Sequence, residues 1–355
     1  MTTSLVQQSV LVGVDTHADT HQVAIVNEHG KHLADREFPT TAIGYAAIEE
    51  WIRSHGAVAR VGIEGTGSYG VELARYLRRR GFDVVEVPRP TRKLRRVRGK
   101  TDAIDAYAAA RQLLDGSEVT APKNRDGAIE SVRALRVARN NAVKASTTAL
   151  NTLRSLVTTS PETLRAQLRS LSAAQLLATC AAFDPAPHTL SDPVQATKLA
   201  LRSLAQRVLD TQAHADQLKK HLAALLDQVA PRTMDVFALG PDTAAALIIS
   251  IGDNPHRLIS EAAFARLCGV APIPASSGKT NRHRLHRGGD RQANQALHTA
   301  VIVRLRYHEN TRTYADRRRS EGKTTPEIIR CLKRFLAREV FRALRADYRA
   351  MASSA

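Results

Sequence analysis

The chain has 355 residues, enough for about two or three domains, and its 52 Lys and Arg against 34 Asp and Glu give a net charge of +18. This excess predicts a polyanionic partner, most simply nucleic acid, with a basic membrane-surface protein as the competing class. The sequence has no apolar run of transmembrane length, and residues 1–10 do not resemble a signal peptide. Its three cysteines lie far apart, so we expect a reduced, cytoplasmic compartment.

The first 125 residues contain apolar runs and amphipathic stretches in a regular order. Three apolar runs separated by polar turns predict an antiparallel meander, after which helices and strands alternate. The strands are predicted at 11–15, 22–27, 31–38, 58–63 and 82–87, and the helices at 41–55, 71–80 and from residue 102 onward. Because this is the element order of the RNase H-like fold, we expect an α/β domain of that kind.

Four carboxylates fall at three places that this fold brings to one edge of the sheet. Asp15 ends the first strand, Glu64 ends the fourth, and Asp102 and Asp105 share one face at the start of the last helix. Singly, each acid also fits a strand end, or a helix start where it complements the dipole. Together they would repel one another unless cations lay among them. The set therefore predicts an Mg²⁺ (or Mn²⁺) site for phosphodiester cleavage, in which two ions roughly 4 Å apart would hold the attacking and leaving oxygens.

Two segments flank these acids. The glycine-rich run 65–70 lacks the Gly-Lys-Ser/Thr of a P-loop and is predicted to turn the backbone sharply beside Glu64. The run 89–100 has seven basic residues in twelve. A solvated loop would explain that run, but its place next to the acids favours phosphate contact. The candidate contacts are Arg92, Lys93, Arg95, Arg96, Arg98 and Lys100.

Residues 126–230 are predicted to be a helical region. Glycine is absent after Gly127, and Ala, Leu, Arg and Gln dominate. Helices are expected over about 126–158 and 162–182, and apolar steps of three and four residues follow between 201 and 229, which is typical of a coiled coil or helical hairpin. An amphipathic helix packed inside its own domain is the alternative. The seam consists of Leu201, Leu204, Val208, Thr211, Ala215, Leu218, Leu222, Leu225 and Val229. We expect this arm to serve in dimerisation.

Residues 231–350 are predicted to be a mostly helical C-terminal domain. Residues 237–247 are similar to a helix-hairpin-helix, whose turn presents backbone N–H groups to a phosphate. Ser276, Ser277 and Gly278 then follow a proline-rich stretch, within a region that carries 18 Lys and Arg against 6 Asp and Glu over 279–345. An ordinary loop tip is the strong alternative for any single serine, yet a serine among arginines is suited to attack a phosphate. The neighbouring candidate contacts are Lys279, Arg282, Arg284, Arg287 and Arg291. Cys268, His283 and His286 lack the spacing of a four-ligand zinc site.

Four motifs in this order resemble the DEDD insertion-sequence transposases, which are related to the Piv DNA invertases. They are Gly13-Val14-Asp15-Thr16-His17, Gly62-Ile63-Glu64-Gly65-Thr66-Gly67, Lys100-Thr101-Asp102-Ala103-Ile104-Asp105-Ala106, and Leu267 to Pro272 with Ser276-Ser277-Gly278. The resemblance covers about residues 10–345.

This resemblance implies a RuvC-like N-terminal domain and a C-terminal transposase domain that act together in DNA recombination. The best understood relatives are guided by a structured bridge RNA, which pairs with donor and target DNA. The family's serine nucleophile maps onto Ser277, with Ser276 adjacent, and becomes covalently linked to DNA beside an Mg²⁺ site formed by Asp15, Glu64, Asp102 and Asp105. Composite catalytic centres in a homodimer or homotetramer are also implied.

The expected domains are therefore 1–125, 126–230 and 231–350. Two rival functions remain open. A metal-dependent RuvC-like junction nuclease would use water as nucleophile and need only the acids. A non-catalytic nucleic-acid-binding protein would fit the net charge equally well, and its four carboxylates would then have only a structural role.

Overall fold

The computed structural model describes residues 9–88, 101–115, 119–254, 259–278, 283–284 and 286–353. The chain divides into two compact units, Met1–Arg125 and Asp126–Ala355. No helix in these described ranges is long and apolar enough to cross a membrane.

The first unit is a five-stranded mixed sheet with helices on both faces. The strands run in the order β3-β2-β1-β4-β5, with β1–β2 and β2–β3 antiparallel and β1–β4 and β4–β5 parallel. This topology is consistent with the predicted RNase H-like fold. The elements are β1 Ser9–Thr16, β2 Thr20–Asn27, β3 His32–Pro39, α1 Ala42–Ser54, β4 Ala57–Glu64, α2 Val71–Arg79, β5 Val84–Val87 and α3 Asp102–Gln112.

Alternation along β1 and β4 separates the two faces of this sheet. Val12, Val14 and Ile63 lie on one face in a core that includes Ile48 of α1 and Leu73 of α2. The opposite face is covered by the alanine-rich α3, whose small side chains pack on Ala24 and Val26 or on Val85 and Val87. The residues that alternate with the large core side chains, including the strand-end acids, therefore point toward α3.

The second unit is almost entirely helical in its described part. Its helices are α4 Ala128–Thr159, α5 Glu162–Leu168, α6 Ala173–Ala181, α7 Pro193–Val229, α8 Pro231–Met234, α9 Pro241–Ile251, α10 Glu261–Leu267, α11 Arg291–Tyr307, α12 Glu309–Ser320 and α13 Thr325–Ser353. Two-residue strands, β6 Ile273–Pro274 and β7 His283–Arg284, form an antiparallel ribbon. The single helix expected over 162–182 is wrong, because Ser172 and Gln175 form a capping box that starts α6 anew.

The predicted seam lies on α7, which packs antiparallel to α4. Leu201 and Val208 share a core with Leu153, near the end of α4, whereas Leu222 and Val229 share one with residues at its start. The alternate seam positions Leu204, Thr211, Leu218 and Leu225 are half-buried. The periodic pattern is thus used inside the chain, as a helical hairpin, and an intermolecular coiled coil stays a prediction.

Helices α9, α11 and α13 surround the core of the second unit, which includes Leu247, Leu297 and Val340. The buried Asp347 of α13 accepts hydrogen bonds from Arg232 N (3.1 Å), Thr233 N (2.9 Å) and Thr233 Oγ1 (2.6 Å). These bonds satisfy donors at the start of α8. The segment 237–247, predicted to be a helix-hairpin-helix, consists of the turn before α9 and the first part of α9, and the motif itself stays a prediction.

Candidate metal centre and nucleic-acid site

Two glycines allow α3 to lie directly on the sheet. A Cβ atom on Gly13 would overlap the Ala106 carbonyl oxygen and the Ala110 amide nitrogen of the helix backbone. A Cβ atom on Gly62 would lie 3.3 Å from the Ala109 carbonyl oxygen. Each glycine precedes a strand-end acid by two residues, so glycine and acid point to the same face. The spacing therefore brings the helix and the two strand-end acids to one edge of the sheet.

Asp15 and Glu64 lie at adjacent ends of parallel strands. Val14 pairs in register with Ile63, which places the two acids side by side along the sheet edge. Both are buried, with 6% and 5% of their surface exposed. Thr16 Oγ1 donates a 2.9 Å hydrogen bond to the Glu64 carbonyl oxygen and joins the two strand ends.

Asp102 is positioned by the start of α3. Thr101 Oγ1 accepts the Ile104 amide (3.3 Å), so Asp102 and Asp105 occupy the first helical turn. Asp102 is half-exposed, whereas Asp105 is 3% exposed. The two acids are three residues apart in this helix, which is the spacing of one helix face, as the sequence predicted.

His17 links the strand-end acid to the helical acid. Its Nε2 lies 3.2 Å from Asp15 Oδ2 and 3.4 Å from Asp102 Oδ1. One ligand atom from each of Asp15, His17 and Asp102 can be chosen so that all lie within 4.8 Å of one another. This cluster of described residues includes neither Glu64 nor Asp105. Sequence reasoning assigned no role to His17, although its position two residues after Asp15, on the same side of the chain, was an available signal.

The electrostatics of the cluster favour a bound cation. Burial is the largest influence on Asp15 and raises the pKa of its carboxyl group; His17 opposes this, and the charges of Asp105 and Asp102 add to it. A bound cation would make ionisation of the buried Asp15 carboxyl group less costly and would relieve the repulsion between the acids. The two carboxylate oxygens suit Mg²⁺ or Mn²⁺, and the imidazole nitrogen favours Mn²⁺, which accepts nitrogen ligands more readily. The residues present therefore fit the predicted metal, and Asp15, His17 and Asp102 are those that could hold it.

A cleft of about 450 Å³ opens beside this edge of the sheet. Glu64, Gly65, Gly67, Ser68, Glu86 and Pro88 are among its lining residues. Gly65 has a φ of +71°, a backbone conformation that favours glycine and turns the chain directly after Glu64. The predicted sharp turn is thus present, and Glu64 lines a cleft at the ends of β4 and β5.

The serine pair lies in the second unit, directly after β6. Ser276 and Ser277 are exposed, and Gly278 adopts a positive φ of 54°. Of the predicted nucleic-acid contacts, Arg284, Arg287 and Arg291 are described and exposed. The others lie outside the described residues; they are Arg92, Lys93, Arg95, Arg96, Arg98, Lys100, Lys279 and Arg282.

Comparison with known proteins identifies two matching family models. The IS110-type DEDD transposase model matches residues 12–160, which contain Asp15, Glu64, Asp102 and Asp105. The transposase model of the IS116/IS110/IS902 family matches residues 230–316, which contain the serine pair.

Two relatives encoded by insertion elements are similar to parts of the chain. An uncharacterized 43.6 kDa protein of insertion element IS110 from Streptomyces coelicolor is 30% identical over 151 residues, 41% of this chain and 37% of that protein. An uncharacterized 42 kDa protein of insertion element IS900 from Mycobacterium paratuberculosis is 30% identical over 91 residues, 25% of this chain and 23% of the relative. The chain thus aligns with less than two fifths of each relative's length.

Proposed function

Because the chain belongs to the IS110 family of DEDD transposases, we propose that it cleaves and rejoins DNA strands as the recombinase of an insertion sequence. The observation that carries this proposal is the cluster of Asp15, His17 and Asp102 at one edge of an RNase H-like sheet. Glu64 and Asp105 belong to the same edge by strand register and helix position.

The acidic cluster is proposed to bind Mg²⁺ or Mn²⁺ through Asp15, His17 and Asp102, with Glu64 and Asp105 as further acids. A metal bound there would neutralise charge on the scissile phosphate. The role of this chain's own residues is positioning. His17 Nε2 contacts a carboxylate on β1 and another on α3 and so holds the three candidate ligands together; a metal that bound Nε2 would replace these contacts.

Ser277 is proposed as the nucleophile, with Ser276 as the neighbouring candidate. The serine Oγ forms a bond to phosphorus while the bond from phosphorus to the leaving sugar oxygen breaks. The hydroxyl proton passes to a base, and the leaving oxygen takes up a proton. The exposed Arg284 and Arg287 would neutralise the charge that develops on the phosphoryl oxygens.

The proposed partners are donor and target DNA and, as the resemblance to bridge-RNA-guided recombinases implies, a structured guide RNA. The net charge of +18 supports a polyanionic partner without distinguishing DNA from RNA. A homodimer or homotetramer is the proposed assembly.

An in vitro recombination assay tests this function. Purified protein, the RNA of the element's end and paired donor and target DNA are incubated with Mg²⁺, and strand exchange is measured. Asp15→Asn should lower product by at least about a hundredfold, because the buried carboxylate is lost from the proposed metal site. Asp19→Asn removes the same charge from an exposed position four residues away and should recombine normally. Equal activity of the two variants would refute a catalytic role for the cluster.

A further inference from the structure

The second unit contains a cavity of about 680 Å³ with a basic wall. Two sides come from residues 269–272 and from His283 and Arg284, which flank the loop that bears the serine pair. The remaining wall is formed by the end of α12, Lys323 and the first turns of α13. The volume falls within the range of about 300–1,000 Å³ that is typical of ligand sites.

Cations greatly outnumber carboxylates among the described lining residues. The cations are Arg284, Arg318, Lys323, Arg330, Lys333 and Arg334. Glu327 is the one carboxylate in this described lining, and its Oε2 accepts hydrogen bonds from Thr324 N (2.9 Å) and Thr324 Oγ1 (2.7 Å). It serves as a cap at the start of α13. The charge of the wall is therefore strongly positive.

Few of these cations are neutralised by an acid. Arg334 contacts Glu261 at 2.7 Å, and Arg318 pairs with Glu321. Within the described ranges, neither Lys323 nor Arg330 forms a salt bridge with a carboxylate. The hydrogen bonds of Thr324 and, to a smaller degree, the charges of Lys323 and Arg330 lower the pKa of Glu327, so a single acid serves both cations. An anion inside the cavity would supply the missing negative charge.

Lys333 gives the wall a fixed donor. The residue is 7% exposed, and its Nζ donates to Asn294 Oδ1 at 2.9 Å. The Asn294 amide is oriented by its own donation to Cys268 O (2.9 Å) and Gly269 O (3.0 Å). Burial, and secondarily Arg330, lowers the pKa of Lys333, as expected for an ammonium whose described hydrogen-bond partner is neutral.

We propose that this cavity binds backbone phosphates of the DNA strand presented to Ser276 and Ser277, with Lys323, Arg330 and Lys333 as phosphate ligands. Several cations around one concave space fit a polyanion better than a single carboxylate ligand. The ribbon of β6 and β7 joins this wall to the serine loop. The DNA strand that is to be cleaved is therefore the favoured ligand of the cavity. The choice of DNA rests on the proposed function.

Salt-dependent binding of the full-length protein to a short labelled DNA duplex tests the site. The slope of log K against log salt concentration is negative, and each lost phosphate contact makes it less steep by about 0.9. Lys323→Gln with Arg330→Gln should make that slope less steep by about two and weaken binding about tenfold or more at 100 mM salt. Lys333→Gln, which keeps a donor for Asn294, should make it less steep by about one. The matched control, Arg342→Gln with Arg349→Gln, removes two exposed charges from the same helix outside the cavity and should keep the wild-type slope.

Thermal unfolding verifies that each variant is folded before its slope is compared. Equal slopes for the cavity and control pairs would overturn the site. A slope change with a single-stranded RNA but not with DNA would overturn the assignment to DNA. The binding measurement does not depend on cleavage. If the cavity variants change the slope but the wild-type protein forms no covalent adduct with DNA, the cavity is supported and the serine chemistry is contradicted.

Discussion

Gly13 of β1 lies so close to Ala106 of α3 that a methyl group on the glycine would overlap the Ala106 carbonyl oxygen. Helix backbone thus lies directly on strand backbone at the point where the acids meet. Gly13→Ala must push α3 outward and carry Asp102 and Asp105 with it. Overpacking of this kind costs about 1–3 kcal/mol or more.

We therefore expect Gly13→Ala to lower both the free energy of unfolding and recombination activity. Urea denaturation and the strand-exchange assay provide the two measurements. Gly240→Ala is the control for the free energy of unfolding, because a Cβ atom there meets nothing within 4 Å. If Gly13→Ala had wild-type activity, the close approach of α3 would not be needed for the site.

The buried carboxylate of Asp15 destabilises the metal-free protein, and a bound metal ion should remove that destabilisation. Burial and neighbouring acids raise the pKa of its carboxyl group, so Asp15→Asn should unfold at a temperature equal to or above wild type without metal. Mn²⁺ at about 100 times its Kd should stabilise wild type by about 2.7 kcal/mol. The variant should gain far less. Calorimetry with and without Mn²⁺ tests this, and an equal gain in both proteins would exclude Asp15 as a ligand.

His17 should strengthen metal binding. Its imidazole offers one of the three ligand atoms of the proposed site, so His17→Gln should weaken Mn²⁺ affinity at pH 7 by roughly tenfold. His29→Gln alters an exposed histidine in the β2–β3 turn and should leave the affinity unchanged. Calorimetric titration measures the affinity of each protein, and wild-type affinity in His17→Gln would contradict the role.

His21 should make the protein sensitive to acid. It is fully buried and stacks on Tyr45, and burial lowers its pKa from 6.5 to about 4. The stability from this neutral histidine is present above pH 6.5 and is lost as pH falls toward 4, by up to about 3 kcal/mol. His21→Phe should show a smaller loss than wild type. Urea midpoints at pH 8, 6 and 4.5 provide the comparison, and parallel pH profiles would count against this assignment.

The sequence predicted the elements of the first unit because their apolar periodicity is local. Predicted strands such as 11–15 and 58–63 correspond to Ser9–Thr16 and Ala57–Glu64, with bounds one or two residues wider. Strand order then places Asp15 beside Glu64 without further information. His17 was missed because its contact with Asp102 joins residues 85 positions apart in the sequence.

The second unit shows where periodicity alone is insufficient. The seam on α7 correctly indicates one apolar face, but a heptad pattern does not tell whether that face meets another chain or α4. The basic cavity was not predicted either. Its cations come from β7, α12, the following loop and α13, and only the packed fold brings them together.

A covalent adduct between protein and DNA tests the central claim most directly. Protein is incubated with the element's RNA, Mg²⁺ and paired donor and target DNA, then denatured and resolved by electrophoresis with labelled DNA. Wild type should yield an adduct that maps by mass spectrometry to Ser277, and Ser277→Ala should yield none while Ser276→Ala retains it. Normal strand joining by Ser277→Ala without any adduct would contradict the account and favour a metal-dependent nuclease that uses water.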